Sequence, residues 1–149
     1  MAEVRIIAER TITAPAEKVY SYLADYREHH HRFLPPAFSD WQVEQGGIGA
    51  GTVVRLRLKA GGRNRLYRQQ VTEPQPGRVL KEADIDGGAA TTFTVTPDGP
   101  HCRVQIVTTW QAGLITAFVQ RRLAPRVLRP LYADELTRLE QYAHAQDAR

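Results

Sequence analysis

The feature that most narrows what this chain can fold into is a series of short, alternating segments between residues 38 and 111, each closed by a tight turn. FSDWQVEQ and TVVRLRLKA are joined by GGIGAG, NRLYRQQVTE follows GGR, and GRVLKEADI, ATTFTVTP and CRVQIVTTW are separated by DGGA and PDGPH, with PQPG before the first of them. Connectors this short reverse the chain within a few residues, whereas a parallel crossover needs a dozen or more, so the segments predict an antiparallel meander. In TVVRLRLKA, Val54, Leu56 and Leu58 alternate with Arg55, Arg57 and Lys59. One face of the sheet is therefore dry and the other basic, and something must cover the dry face.

The C-terminal segment supplies that cover. Leu128, Leu131, Tyr132, Leu136, Leu139 and Tyr142 recur at helical spacing, which predicts a long amphipathic helix. Pro125 is expected to begin it after a preceding short helix, and Pro130 to kink it or mark its true start. Before the meander, EVRIIAERTI (residues 3–12) reads as a first strand with Ile6, Ala8 and Ile12 on one face. APAEKVYSYLAD then changes period to that of a short helix, with Thr13 as its expected cap and Pro15 in its first turn.

At 149 residues with ordinary apolar content, one domain spanning 1–149 is expected. The lone Cys102 lies in no Cys-x-x-Cys or Cys/His zinc pattern and reads as a small buried hydrophobe in a reducing compartment. MAEVRIIAERTI lacks the apolar core of a signal peptide and no later run approaches the ~20 apolar residues of a membrane span, so the default expectation is cytoplasmic. The net charge of +4 is a mild excess that would matter for nucleic acid only if focused on one face.

The opening TITAPAEKVYSYLADY, the GGIGAGTVVRLRL hairpin, the VTEPQPGRVLKEAD turn and strand, the TTFTVTPDG hairpin and the final ADELTRLEQYA together resemble the polyketide cyclase/dehydrase-like branch of the START-related (SRPBCC) superfamily. The resemblance covers nearly the whole chain. It implies an α+β helix-grip fold: a curved antiparallel sheet of about seven strands wrapped around a long C-terminal helix, with two short helices after the first strand. It also implies a cavity for a hydrophobic ligand between sheet and helix. Members include lipid carriers, plant hormone binders, quinone-binding proteins and aromatase/cyclases, which share architecture without one catalytic signature.

YREHHHRFLPP, residues 26–36, is the most chemical stretch. On a helix, neighbouring residues point ~100° apart, so His29, His30 and His31 cannot meet one ion, and no His-Glu-x-x-His spacing is present. No metal or cofactor is expected. Over one or two helical turns, Tyr26, His29, His30, Phe33 and Leu34 share a face while Arg27 and His31 face solvent. The resemblance places the first group near the cavity mouth. The plainer reading is two histidines satisfied by local hydrogen bonds; the functional one has a histidine bind a ligand's polar end or move a proton.

The strands add candidates. Alternation puts Tyr67, Gln69 and Val71 on one side and Leu80, Glu82 and Asp84 on another. If Glu82 faces in, burial raises its pKa and makes it a general acid or base, with Tyr67 as donor to a carbonyl. If it faces out, it pairs with Arg68 or Arg103. Arg10 is either a surface residue or an anchor for an acidic group. Trp41 and Trp110 read first as core or rim packing, and the threonines as strand formers. GGIGAGT fits neither G-x-G-x-x-G nor a P-loop and reads as a hairpin turn, with a lid role open if it borders the cavity.

The expected partner is a small apolar molecule (a lipid, quinone, isoprenoid or polyketide) contacted by Tyr26, His29, His30, Phe33, Tyr67, Gln69, Glu82, Trp110, Leu128 and Tyr132. The alternative is an aromatase/cyclase or dehydratase that uses Glu82, Tyr67 or His30 for proton transfer. Binding of nucleic acid or an acidic surface through Arg55, Arg57, Lys59, Arg63, Arg65 and Arg68 is not expected, since alternation scatters these over exposed sheet and no aromatic residues interleave for stacking. A homodimer is left open.

Overall fold

The computed structural model describes residues 1–148. Its centre is one seven-stranded antiparallel sheet: β1 (Ala2–Ile12), β2 (Phe38–Gln45), β3 (Val53–Ala60), β4 (Arg63–Gln75), β5 (Val79–Asp84), β6 (Ala90–Asp98) and β7 (His101–Ala112), in the order β1-β7-β6-β5-β4-β3-β2. Short turns join β2 to β7 in sequence, and β1 closes on β7 along its whole length, Ala2 opposite Ala112 through Ile12 opposite Cys102. Between β1 and β2 lie α1 (Ala16–Ala24) and a 3-10 turn (His30–Phe33); α2 (Leu114–Asp147) follows β7 and covers the inner face. This is the helix-grip architecture. Among the described residues no helix is long and apolar enough to cross a membrane.

Two local expectations are corrected. Thr13 does not cap α1, whose N-cap position is held by Pro15 without a side-chain cap bond; the Thr13 hydroxyl and amide are taken by Glu140, with His144 also on the hydroxyl, which ties the start of α1 to the far end of α2. Pro125 does not begin a second helix, and Pro130 does not start one: α2 is continuous over 34 residues with both prolines inside. A proline removes only its own N–H, so the carbonyls left over belong to Arg121 and Arg126, both in exposed turns where water can accept the role.

Candidate functional site

Rungs of paired residues across the sheet define what faces α2. Opposed residues in an antiparallel ladder share a face. Val71, Glu82, Thr91, Thr108 and Ile6 form one continuous rung through β4, β5, β6, β7 and β1. Val71, Ile6 and Glu82 are buried, so this is the inner face and Glu82 points inward. The outward alternative is accordingly absent: Arg68 pairs with Glu44 and Arg103 with Glu9. Arg10 is exposed, 3.3 Å from the Thr137 hydroxyl.

Between this face and α2 lies a cavity of about 610 Å³. Its closed end is lined by the buried Leu56, Phe93, His30, Glu82, Thr108, Tyr132 and Glu135, its open end by exposed residues including Gly61, Arg63, Val119 and Leu123. Of the sequence candidates, His30, Tyr67, Gln69, Glu82, Trp110, Leu128 and Tyr132 line it. Tyr26 is buried one layer behind, and its hydroxyl donates to Glu82 Oε2 at 2.7 Å. Phe33 packs against His30 and Tyr142. His29 turns away from the cavity to bond the Tyr142 hydroxyl at 2.5 Å.

His30 sits at the closed end rather than the entrance, and the cause is local. The Asp25 carbonyl accepts from both the His29 and His30 amides, and its side chain accepts from those of Arg27 and Glu28, folding the chain back under α1. The His30 ring is stacked among Tyr26, Phe33 and Trp41. Its Nδ1 lies 2.6 Å from the Leu23 carbonyl oxygen, which only accepts, so Nδ1 carries the proton and Nε2 faces Glu82 Oε2 at 3.7 Å. Burial lowers the His30 pKa to about 4, leaving the ring neutral near pH 7. His31 is half-buried against Trp41 instead of fully solvated.

The acids respond oppositely. Burial raises the Glu82 pKa to about 7, with the Tyr26 bond pulling the other way. Glu135 is held well above the ordinary carboxyl range, by burial first and then by the charge of Glu82. Among the described residues no hydrogen bond occupies the Glu135 carboxyl, which is 4 % exposed and lines the cavity. Beside it, Thr91, Thr108 and Tyr132 form a hydroxyl chain with links of 2.8 and 2.7 Å that pins α2 to the sheet.

Several lining residues escaped sequence reasoning. Trp41 joins Phe38 on the inner face because a bulge in β2, with Asp40 at φ 55°, shifts the alternation by one. Arg63 and Arg65, expected on exposed sheet, lie on the Tyr67 side of β4 and line the open end; Arg65 pairs with Asp84 at 3.1 Å and lies over the Tyr67 ring. The glycine-rich loop, residues 46–51, does not border the cavity, so a lid role falls away. It is fastened under α1 through Gly47 and Gly49, where a Cβ would collide with Arg27 and Glu73. Among the described residues no three His, Cys, Asp or Glu side chains converge as a metal site.

A family model described as polyketide cyclase / dehydrase and lipid transport matches residues 3–144. Among solved structures, the KanY protein is 28% identical at a TM-score of 0.84, covering 97% of this chain and 99% of its own. A norcoclaurine synthase point mutant from Thalictrum flavum, in complex with a transition state analogue, superposes at 0.76 with 18% identity over 98% of this chain and 97% of that one. A START superfamily protein from Mycobacterium smegmatis does so at 0.73 with 14% identity over 95% and 98%. The last two likenesses speak for the fold. No curated protein matches the chain.

Proposed function

The chain belongs to the polyketide cyclase / dehydrase and lipid transport family, and from that premise we propose that it binds one small, largely apolar molecule between the sheet and α2. The observation that carries this reading is the cavity of about 610 Å³ whose aliphatic and aromatic walls end in a small polar group of His30, Glu82, Tyr132 and Glu135. Apolar enclosure supplies affinity, and the few polar groups orient the ligand. A lipid, quinone, isoprenoid or polyketide-like molecule matches that division. Native mass spectrometry of the protein as purified tests it: a bound apolar mass is expected, and it should vanish in Ala124→Trp, which fills the cavity from α2. Retention of the same mass by that variant would place the ligand elsewhere.

A second reading rests on Glu82 alone. With a pKa of about 7 and a hydrogen bond from Tyr26, it is poised to accept and return a proton at neutral pH. In an aldol-like cyclisation the Glu82 carboxylate would take a proton from a carbon next to a carbonyl. The resulting carbanion would bond to a second carbonyl carbon, and Tyr67 or protonated Glu82 would deliver the proton to its oxygen. Glu82→Gln should then abolish turnover of a polyketide-like substrate while leaving its binding within a few-fold; unchanged turnover removes this reading.

A further inference from the structure

With its carboxyls ionised, the closed end of the cavity contains more acceptors than donors. Glu82 and Glu135 both reach it from opposite walls, β5 and α2, and neither has a Lys or Arg nitrogen within 4.0 Å among the described residues. His30 presents the unprotonated Nε2, since its one proton is committed to the Leu23 carbonyl. The Tyr26 hydroxyl is already spent on Glu82, and the Tyr132 hydroxyl is shared with Thr108. Among the described residues Glu135 has no hydrogen-bond or ion-pair partner, although it is 4 % exposed and lines the cavity. Once ionised, a buried carboxyl accepts hydrogen bonds only and needs a cation or donors beside it, and this end offers it none besides the Tyr26 hydroxyl.

The rest of the surroundings does not supply that cation. The titratable groups facing the two acids are Tyr26, His30, Tyr67 and Tyr132. The guanidinium groups lining the cavity are, among the described residues, Arg63 and Arg65 at its open end, and Arg65 is engaged by Asp84. Around the acids the walls are aromatic: Trp41 and Phe93 line the cavity beside the His30 ring. Aromatic faces stabilise a cation that has left water.

We propose that the polar end of the ligand is a protonated amine, seated between Glu82 and Glu135, with an apolar body running toward the open end. This rests on the cavity-binding reading above and narrows it to a class of ligand. One carboxylate balances the ammonium charge and the other carboxyl accepts a further N–H, so the occupied site is close to neutral. Forming that pair ionises a carboxyl whose protonated form burial favours in the empty site. Binding must therefore release a proton near neutral pH and weaken as the pH falls.

The test uses three probes with one chain length: octylamine, octanol and octanoate, titrated calorimetrically into the full chain at pH 8, 7 and 6. Octylamine should bind at least tenfold tighter than octanol at pH 8, with octanoate weakest. Its affinity should drop by up to about tenfold per pH unit below 7 while octanol's stays level. Two buffers of different ionisation enthalpy should reveal the released proton. Glu82→Gln and Glu135→Gln should each reduce the amine preference at least fivefold, and retained octanol binding shows that each variant is folded. Octanol binding as tightly as octylamine, or a preference untouched in both variants, overturns the amine inference and leaves the cavity reading standing. Failure of all three probes to bind overturns both.

Discussion

The Tyr26 hydroxyl and the Glu82 carboxylate meet at 2.7 Å with both side chains buried, and that bond is the one contact that favours the ionised form of the acid. Desolvation, the larger influence on Glu82, favours the neutral form. Tyr26→Phe removes the donor and nothing else of comparable size. The Glu82 pKa should rise above its value of about 7, read by carbon-13 NMR of the labelled carboxyl, and stability at pH 8 should fall by ~1–3 kcal/mol because the carboxylate loses its donor.

Stability should also depend on pH in a way that these buried groups dictate. Glu82 has a folded pKa of about 7 against an ordinary 4.5, so its contribution is fully present below pH 4.5 and is lost as pH rises through 7. Glu135 acts in the same direction. His30, lowered from 6.5 to about 4, does the reverse: its contribution is present above 6.5 and is lost as pH falls through 4. Each of Glu82 and His30 accounts for about 3 kcal/mol across its window. Between 4.5 and 6.5 the slopes of Glu82 and His30 oppose, and above 6.5 only the acids remain. Urea denaturation from pH 4 to 9 should show a gentle middle region and a decline on the alkaline side, which Glu82→Gln reduces.

How far this site could be read from sequence depended on whether the cause was local. The strands were legible because alternation and turn chemistry act within a few residues. The face of Glu82 was not, because Val79 and Ala83 are half-buried on one side of β5 while Leu80 is buried on the other; only the ladder register with Val71 and Thr91 decides it. Trp41 depends on a bulge that no period announces. Glu135 did leave a trace: it interrupts the apolar spacing 128, 132, 135, 139, 142 of α2, the position where a helix facing a sheet ordinarily carries a hydrophobe. Tyr67, Gln69 and Leu128 reach the cavity by simple periodicity, whereas His29 leaves it because Tyr142, far along the chain, provides a partner.

The ion pair of Asp84 and Arg65 fills the space that a side chain at position 87 would enter. A Cβ there would stand 2.6 Å from Asp84 Oδ2 and 2.8 Å from Arg65 Nη2. Asp84 Oδ1 is buried without a hydrogen-bond partner among the described residues, so the carboxylate depends on the arginine. Gly87→Ala should push the pair apart and cost ~1–3 kcal/mol, below the full value for a buried pair because Arg65 is half exposed. In a double-mutant cycle, Gly87→Ala and Arg65→Met should be clearly non-additive, since both remove the same contact. Additive losses in urea denaturation would mean that the methyl group acts on something other than the pair.

Pro130 sits at an exposed position inside α2 and leaves the Arg126 carbonyl without its helical donor. Interior proline costs an isolated helix about 3 kcal/mol relative to alanine, through the lost bond and the clash of its ring with the preceding turn. Packing of Tyr132, Leu136 and Leu139 against the sheet holds the helix together regardless, so the cost is carried by the native state as a whole. Pro130→Ala restores the N–H and should stabilise the protein by ~1–2 kcal/mol, less than the full helix value because proline also restricts the unfolded chain. The urea midpoint should rise at unchanged slope. A lower midpoint would mean that the geometry imposed by Pro130 is itself needed to seat the following turn, where Tyr132 bonds Thr108 and Glu135 enters the cavity.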